Sequence, residues 1–227
     1  MKIVLFQSCD GPGFSTVLDA TARANEEFCR RHDVDYRSFM GLKRGLWPWH
    51  ACFNRLYMLK ELIDEGHKGW ALHLDGDAYV YDLNFPIKDY LGRIAHNAGV
   101  AVLSGATNAY WDVNDGVLFF NLGHPTAIAM VNEWINRHEK IFSDPQFLSR
   151  QWPADFGDQR QMQLMLQEHR EWYDDLHIES QSVMNSMHAS FIRHHLRAMT
   201  PDFSKRVESI RREVEEVMEK DRLLGGA

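Results

Sequence analysis

Two aspartates, Asp75 and Asp77, follow directly after the apolar run of residues 70–74 and are separated only by Gly76. A run of this kind is typical of a buried strand, and ligands of an open α/β sheet collect at the carboxyl ends of its strands. Two carboxylates placed there can hold Mg2+ or Mn2+, which commonly also binds substrate phosphates. They could equally act in phosphoryl transfer or form an ordinary polar turn. The spacing alone leaves these three interpretations open.

Composition narrows the possible ligands. The chain has 227 residues, of which 44% are hydrophobic, and a formal net charge of -7. This length fits one well-packed domain that is large enough to enclose a cleft. The negative charge argues against nucleic-acid binding, because that mode needs clustered Lys and Arg. An anionic ligand would therefore need a local cation or a metal ion.

Targeting signals and cysteine usage predict the compartment. The three cysteines, Cys9, Cys29 and Cys52, are too few and too unevenly spaced to suggest a disulfide framework or a zinc cluster. The apolar run at the start of the chain is too short for a secretory leader, and no stretch approaches the length of a membrane span. We therefore expect a cytoplasmic protein without an integral membrane segment, soluble or peripherally attached to a membrane.

Alternating strand and helix patterns must position the two aspartates. We predict strands at residues 2–8, 35–39, 69–74, 78–81, 100–104, 116–121 and 191–196. We predict helices at 15–32, 50–66 and 86–95, and others that begin at Pro125 and near Asp158. Segment 42–49 is expected to be a loop. This alternation predicts an α/β fold with a mostly parallel sheet flanked by helices.

The C-terminal segment has a different pattern. Among its alternating charges, apolar residues recur at spacings of three and four: Val207, Ile210, Val214 and Val217. This spacing predicts an amphipathic helix. We expect a domain over residues 1–200 and, over 201–227, a helix that packs back on it. A self-pairing helix is the alternative.

Five segments occur in the order found in glycosyltransferases of the GT-A fold. They are FNRLYMLKELID (53–64), the aspartate pair after WALHL, NDGVLFFN (114–121), FGDQRQMQLML (156–166) and SFIRHHL (190–196). Over residues 1 to about 197 the chain most resembles the retaining galactosyl/xylosyl/mannosyltransferase group, and more loosely the glycogenin-like group. The resemblance implies a Rossmann-like GT-A fold. It also implies sugar transfer, with retention of configuration, from a UDP- or GDP-sugar to a hydroxyl of a glycan or other acceptor.

The resemblance also implies a metal site. Asp75 and Asp77 match the Asp-X-Asp motif of these enzymes, and His194 matches the late histidine that completes their metal site. The metal would be Mn2+ or Mg2+, and a neutral imidazole suits Mn2+. Asp75 would also meet the ribose of the donor. His195 and His188 remain alternative ligands.

Further residues are implied to bind the donor. Asn114 and Gly116 resemble an Asn-X-Gly turn that reaches the donor sugar, and a glycine there lets the backbone approach a ligand closely. Arg55 stands where the relatives usually have a phosphate-binding Lys. Gln7 and Ser8, at the end of the first strand, are expected near the nucleotide.

The catalytic residues follow from the same resemblance. Asp158 and Gln159 match a segment that lies beneath the anomeric carbon in the relatives, where a carboxylate can stabilise an oxocarbenium-like transition state. Asp158 could also be the N-cap of a helix. Transfer with retention requires no side-chain base, whereas an inverting reaction would need one, and Asp155 or Asp158 would be the candidates.

Two other function classes remain open. One is a phosphatase of the haloacid dehalogenase kind, although its aspartate pair normally follows the first strand and precedes Gly-Thr, whereas Ala78-Tyr79 follows here. The other is a non-catalytic domain that binds nucleotide sugars or glycans. The sequence identifies neither the base and sugar of a donor nor the acceptor.

Overall fold

A computed structural model gives the positions of residues 1–11 and 13–225. The strands are β1 (Ile3–Cys9), β2 (Asp35–Met40), β3 (Trp70–Leu74), β4 (Ala78–Val80), β5 (Gly99–Leu103), β6 (Val113–Asn121), β7 (Leu176–Glu179), β8 (Met184–Ser186) and β9 (Ile192–His194). The α-helices are α1 (Ser15–His32), α2 (Asn54–Asp64), α3 (Ile87–Arg93), α4 (Pro125–Phe142), α5 (Asp158–Glu168), α6 (Arg170–Asp174) and α7 (Phe203–Gly225).

The main sheet has six strands in the order β2-β1-β3-β6-β5-β7. β1 is parallel to β2 and β3, and β5 is parallel to β7, whereas β6 is antiparallel to both of its neighbours. The mostly parallel α/β sheet expected from the sequence is confirmed. Because β6 runs the opposite way, its first residues lie at the edge where β1, β2 and β3 end.

A smaller sheet extends this edge. It has the order β4-β9-β8, with β4 and β9 antiparallel and Ala78 paired with His194. β4 begins directly after Asp77. The pairing of β4 with β9 therefore brings a distant part of the chain next to the aspartates.

The two faces of the main sheet are covered by different helices. Along β1, Ile3 and Leu5 pack with α1, α7 and the small sheet, whereas Val4 and Phe6 pack with α2, α4 and α5. Successive side chains of a strand point to opposite faces, so an apolar run without polar interruptions is buried on both sides. This explains why β1 and β3 are almost continuously apolar.

Several element boundaries differ from the sequence prediction. A 3-10 helix, Pro48–Phe53, begins inside the expected loop, and α2 starts only at Asn54. β6 starts at Val113, so Asn114 and Gly116 belong to the strand and not to a turn before it. β9 ends at His194, two residues before the predicted end. β7 and β8 were not predicted, because both are short and carry several polar residues, so that pairing with neighbouring strands defines them.

The C-terminal helix α7 lies against α1. It buries Val207, Ile210, Val214 and Val217, the apolar residues of its three-and-four pattern. Glu213 fixes the same helix to the small sheet, because its carboxylate accepts from the Tyr79 hydroxyl at 2.6 Å and from the Arg193 guanidinium at 3.1 Å. Among the helices described, none combines the length and the apolar character needed to cross a bilayer.

Glu213 offers a test of this docking. Burial acts to raise the pKa of Glu213, but interactions with His195, Tyr79 and Arg193 outweigh it and lower the pKa to about 2. A carboxyl whose pKa is lowered by folding contributes stability that is complete above its ordinary pKa of 4.5 and is lost as the pH falls toward 2.

We expect Glu213→Gln to reduce the free energy of unfolding by about 1 to 3 kcal/mol at pH 7, because charged hydrogen bonds are lost. The reduction should be smaller at pH 3. Urea denaturation at both pH values measures it, with Glu216→Gln, an exposed position of the same helix, as the control. An equal loss in the control, or a loss independent of pH, would contradict this role.

Candidate metal centre

The two aspartates lie at the carboxyl edge of the main sheet. Leu74, the last residue of β3, pairs with Val117 of β6, and the backbone N–H of Asp75 donates to the carbonyl of Gly116 at 2.7 Å. The first residues of β6 therefore lie beside the aspartate turn. The small sheet covers the other side of this turn, because the backbone N–H of His195 donates to the carbonyl of Asp77 at 3.1 Å.

Asp75, Asp77 and His194 form a group that could hold a metal ion, since their candidate ligand atoms all lie within 4.8 Å of one another. The Nε2 atom of His194 is 3.1 Å from Oδ1 of Asp77 and 3.6 Å from Oδ2 of Asp75. The structure thus brings together the three residues expected as ligands. Two carboxylate oxygens and one imidazole nitrogen are a donor set that binds divalent cations.

The two alternative histidines lie elsewhere. His195 faces Glu213 of α7, with 3.4 Å between Nε2 and Oε1, because side chains at successive positions of an extended chain point to opposite sides. His188 is exposed in the connection between β8 and β9. The register of β9 against β4 therefore selects His194.

Asn185 orients the imidazole of His194. Its amide nitrogen donates to the carbonyl and to Oδ1 of Asn114, at 3.3 and 3.1 Å, so its own Oδ1 faces Nδ1 of His194 at 2.8 Å. This oxygen can only accept, so Nδ1 carries a proton, and Nε2 is the ring nitrogen that faces the aspartates. A second ring nitrogen fixed in this way is typical of metal-binding histidines.

The electrostatic environment of His194 favours positive charge. Burial acts to lower the pKa of His194, but the neighbouring charges of Asp77 and Asp75 outweigh it, so the pKa is raised. A cation is therefore stabilised at this point, as a proton on Nε2 or as a metal ion in its place. Since ligands must be deprotonated, binding a metal here would release that proton.

Gly116 leaves the space that the ring of His194 occupies. A Cβ atom at this position would lie 2.3 Å from Cε1 and 2.6 Å from Nδ1 of His194, and 3.0 Å from Oδ2 of Asp75. Any larger residue would displace the histidine. The sequence reasoning expected this glycine to admit a ligand, and the structure places a metal-site side chain against it.

Arg55 is enclosed by three carboxylates. Its guanidinium lies 2.7 Å from Asp75, 3.2 Å from Asp115 and 3.0 Å from Asp158, and its side chain is only 6% exposed. The resemblance implies a phosphate-binding role for this residue. Its contacts instead join α2 to the aspartate turn, to β6 and to α5.

The three carboxyls respond differently to this environment. Burial acts to raise the pKa of Asp75, but Arg55 and a hydrogen bond from His73 outweigh it and hold the pKa well below its usual range. Burial raises the pKa of Asp115 well above its usual range and also raises that of Asp158, although Arg55 opposes both shifts. The environment therefore favours the ionised form of Asp75, whereas burial favours the protonated forms of Asp115 and Asp158.

Gln7 supports the aspartate turn from below. Its side chain is fully buried, and its amide nitrogen donates to the carbonyls of Asp75 and Ala78 at 2.9 and 3.0 Å. Its Oε1 accepts from Asn25 and Tyr36. We predicted that Gln7 lies near the nucleotide, and the structure shows that its side chain binds the backbone of the aspartate turn.

The other predicted residues lie around this core. Ser8 is half-buried near the carboxyl end of β1, and Asp155 is exposed. Gln159 accepts from the backbone N–H of Asp115 at 3.4 Å. The prediction that Asp158 caps its helix is wrong, because Gly157 occupies the cap position and the Asp158 carboxylate pairs with Arg55.

Sequence reasoning missed two important residues, Asn185 and Asp115. Asp115 had a visible signal, since it is a charged residue just before the apolar run of β6. Asn185 had no such signal, because a single Asn in a polar segment matches no motif. Its φ of 69°, which Asn tolerates better than most residues, is evident only in the folded chain.

Known proteins with a similar fold were found by structure but not by sequence. No protein-family model and no curated protein sequence matches the chain. A glycosyltransferase involved in the glycosylation of the major capsid of PBCV-1 has a similar structure, with a TM-score of 0.66 and 14% identity. The match covers 92% of this chain and 98% of that one.

Two further glycosyltransferases have similar structures. The galactosyltransferase LgtC, in complex with donor and acceptor sugar analogs, has a TM-score of 0.52 and 13% identity over 92% of this chain and 95% of its own. The apo form of GlyE from Streptococcus pneumoniae TIGR4 has a TM-score of 0.52 and 12% identity, over 97% of this chain and 64% of its own. The predicted GT-A fold is confirmed. The assignment to a particular group of these enzymes stays a prediction.

Replacing Asn185 tests its role in orienting His194. We expect Asn185→Gly to weaken Mn2+ binding by about 10- to 100-fold, because the ring loses the partner that fixes its orientation. Glycine tolerates the positive φ, so the backbone should keep its shape. Calorimetric titration with Mn2+ measures the change, and unaltered affinity would show that the hydrogen bond is not needed.

Gly116→Ala tests the space next to His194. The added methyl group overlaps the ring, so we expect Mn2+ affinity to fall by at least about 10-fold. Circular dichroism should show an unchanged fold. Gly92→Ala is the matched control, because a Cβ there meets nothing within 4 Å. Equal Mn2+ affinity of both variants and the wild type would contradict the packing argument.

Proposed function

We propose that this protein transfers a sugar from a nucleoside diphosphate sugar to an acceptor hydroxyl in a metal-dependent reaction. The observation that carries the proposal is the convergence of Asp75, Asp77 and His194 at the carboxyl edge of the sheet, in a fold shared with glycosyltransferases. One of these, LgtC, binds donor and acceptor sugar analogs. The retaining outcome and the choice between hexosyl and pentosyl transfer belong to the proposal as well.

The residues of the site fit a divalent cation. Asp75 and Asp77 supply hard oxygen ligands, and Asn185 directs Nε2 of His194 toward them, where a metal ion would replace its proton. An imidazole in the ligand set favours Mn2+ over Mg2+. When bound, such a cation neutralises the charge that develops on the departing nucleoside diphosphate.

The side chains around the ligands hold them in place. Arg55 keeps Asp75 ionised and fixes one of its oxygens, leaving the other oxygen toward His194. Asn114 holds Asn185, which holds His194. The ligands are therefore oriented before a substrate arrives, so little reorganisation is needed during the reaction.

We infer the donor contacts from the residues at the carboxyl edge of the main sheet. Asp75 is the most exposed of the ligands, with 29% of its side chain accessible, and can reach a ribose hydroxyl. Ser8 and Asn114, both half-buried at this edge, are our candidates for further donor contacts, and Gly116, buried against the ring of His194, would act on the donor through that ring. Arg55 and Gln7 would act on the donor through the aspartate turn, since their polar groups already bind protein atoms.

Asp158 and Gln159 are our candidates for the residues beneath the anomeric carbon. In a retaining reaction the acceptor hydroxyl attacks on the face that the leaving phosphate vacates, and the phosphate oxygen takes its proton. No side-chain base is then required. The role left for the protein is to stabilise positive charge at the anomeric carbon, which a carboxylate or an amide oxygen can do.

The alternative functions have less support. A phosphatase of the haloacid dehalogenase kind would place its aspartate pair after the first strand, whereas Asp75 and Asp77 follow β3. A non-catalytic domain that binds nucleotide sugars or glycans would be recognised by the loss of a metal ligand, whereas Asp75, Asp77 and His194 are all present and close together. A cytoplasmic location, with or without peripheral membrane attachment, remains part of the proposal.

Asp77→Asn tests the proposed reaction. We expect Mn2+-dependent hydrolysis of the donor and transfer to fall by about 100-fold or more, because a charged ligand is lost while the shape is kept. A panel of UDP- and GDP-sugars, assayed for hydrolysis with and without a chelator, gives the measurement. NMR of the product gives the anomeric configuration.

The control for this variant is Asp82→Asn, an exposed carboxylate five residues further on. It should retain full activity. If the Asp77 variant retains wild-type activity, or if the wild type hydrolyses its donor equally well in excess chelator, the metal-dependent mechanism is wrong.

A further inference from the structure

A second arginine reaches the metal centre, and it comes from the C-terminal helix. Arg206 lies in the first turn of α7, and only 2% of its surface is exposed. Its Nη1 atom is 3.6 Å from Oδ2 of Asp77. Oδ1 of the same carboxylate faces His194 at 3.1 Å, so Asp77 lies between the histidine and the arginine.

The guanidinium of Arg206 is packed against aromatic rings, but two of its nitrogen atoms lack hydrogen-bond partners. It lies over the rings of Phe14 and Phe203, at 5.8 and 5.7 Å, and these rings contact each other edge to face. Within the described part of the chain, its Nε and Nη1 atoms are buried and have no hydrogen-bond partner. Burying donors without partners is unfavourable. A ligand that accepts from them would remove this cost.

The position of Arg206 is rigid. Val207 and Ile210 bury the next turn of α7 in the core, and Glu213 fixes the helix to the small sheet. Phe14 comes from the segment that follows β1, so the arginine lies at the same edge of the sheet as the metal ligands. A long side chain fixed in this way loses little further conformational entropy when it binds a ligand.

The charge balance of the site indicates an anion. Among the described residues, two arginines contact its carboxylates, and Arg55 is already surrounded by three of them. Arg206 has a single carboxylate contact, at a distance too long for a hydrogen bond. It is therefore the cation with free donors, next to a residue that would hold the metal.

We propose that Arg206 is a donor-binding residue whose free N–H groups bind a phosphate oxygen of the diphosphate, which makes α7 part of the donor site. The inference rests on the proposed function, because it takes the ligand to be a nucleoside diphosphate. Arg is suited to this role, since its planar fork donates to two phosphate oxygens at once. The C-terminal helix thereby acquires a function besides its packing on α1.

The test compares the affinities for nucleotide and for Mn2+, which we expect to respond differently. For Arg206→Met we expect the affinity for UDP or GDP in saturating Mn2+ to fall by about 10- to 100-fold, because charged hydrogen bonds are lost. The affinity for Mn2+ alone should be unchanged or slightly higher, since a positive charge near Asp77 is removed. Calorimetric titration measures both, and UMP or GMP should lose less affinity than the diphosphate.

Two further variants exclude a merely structural effect. Arg206→Lys keeps the charge but not the fork, so its nucleotide affinity should lie between those of the wild type and the Met variant. Arg212→Met, at an exposed position of the same helix, should bind like the wild type. If the Met variant does not fold, the Lys variant decides the question.

Specific results would overturn the inference. Unchanged nucleotide affinity in the Met variant, or in the Lys variant if only that one folds, would remove Arg206 from the donor site. Parallel losses of Mn2+ and nucleotide affinity would assign it a structural role. A wild type that binds neither UDP nor GDP in Mn2+ would instead overturn the proposed function, and this inference with it.

Discussion

The burial of Arg55 among three carboxylates is the interaction on which the rest of the site depends. Asp75, Asp115 and Asp158 come from a turn, a strand and a helix, and all three converge on one guanidinium. Buried charges are costly unless they are paired, so neither the acids nor the arginine could remain there alone. Burial also raises the pKa values of Asp115 and Asp158, which favours a smaller negative charge around the guanidinium. Asp75 can therefore stay ionised and face the metal site with its second oxygen.

Two strand pairings place further residues beside this charged cluster and so form the candidate metal site. The antiparallel direction of β6 brings Gly116 and Asn114 beside the aspartate turn, and the register of β9 on β4 places His194 against Asp77. A shift of β9 by one residue would turn His194 away, because side chains alternate between the faces of a strand. The position of His194 relative to the aspartates therefore depends on the hydrogen-bond register of a small, three-stranded sheet.

The proposed function requires an acidic protein to bind an acidic substrate. The net charge of -7 offers no general attraction for a diphosphate. In the proposed function, positive charge would be concentrated instead at one point, by a metal ion bound to Asp75, Asp77 and His194 and by Arg206 of α7. The aspartates that would repel an anion in the free protein would then bind the cation that attracts it. A nucleoside diphosphate would be attracted only once the metal is in place.

The sequence by itself determined the alternation of strands and helices, the aspartate pair at a strand end and the amphipathic stripe of α7, because each is a local pattern of spacing and side-chain type. The predicted metal ligands came from a resemblance carried by short motifs, which keep their order along the chain. Only the tertiary structure decided which histidine faces the aspartates, that Asn185 orients it and that Arg55 binds carboxylates. The tertiary structure also places Arg206 next to Asp77, although the amphipathic pattern of α7 predicted only that this helix packs on the domain. These features depend on strand register and on contacts between residues far apart in the chain, which local periodicity does not encode.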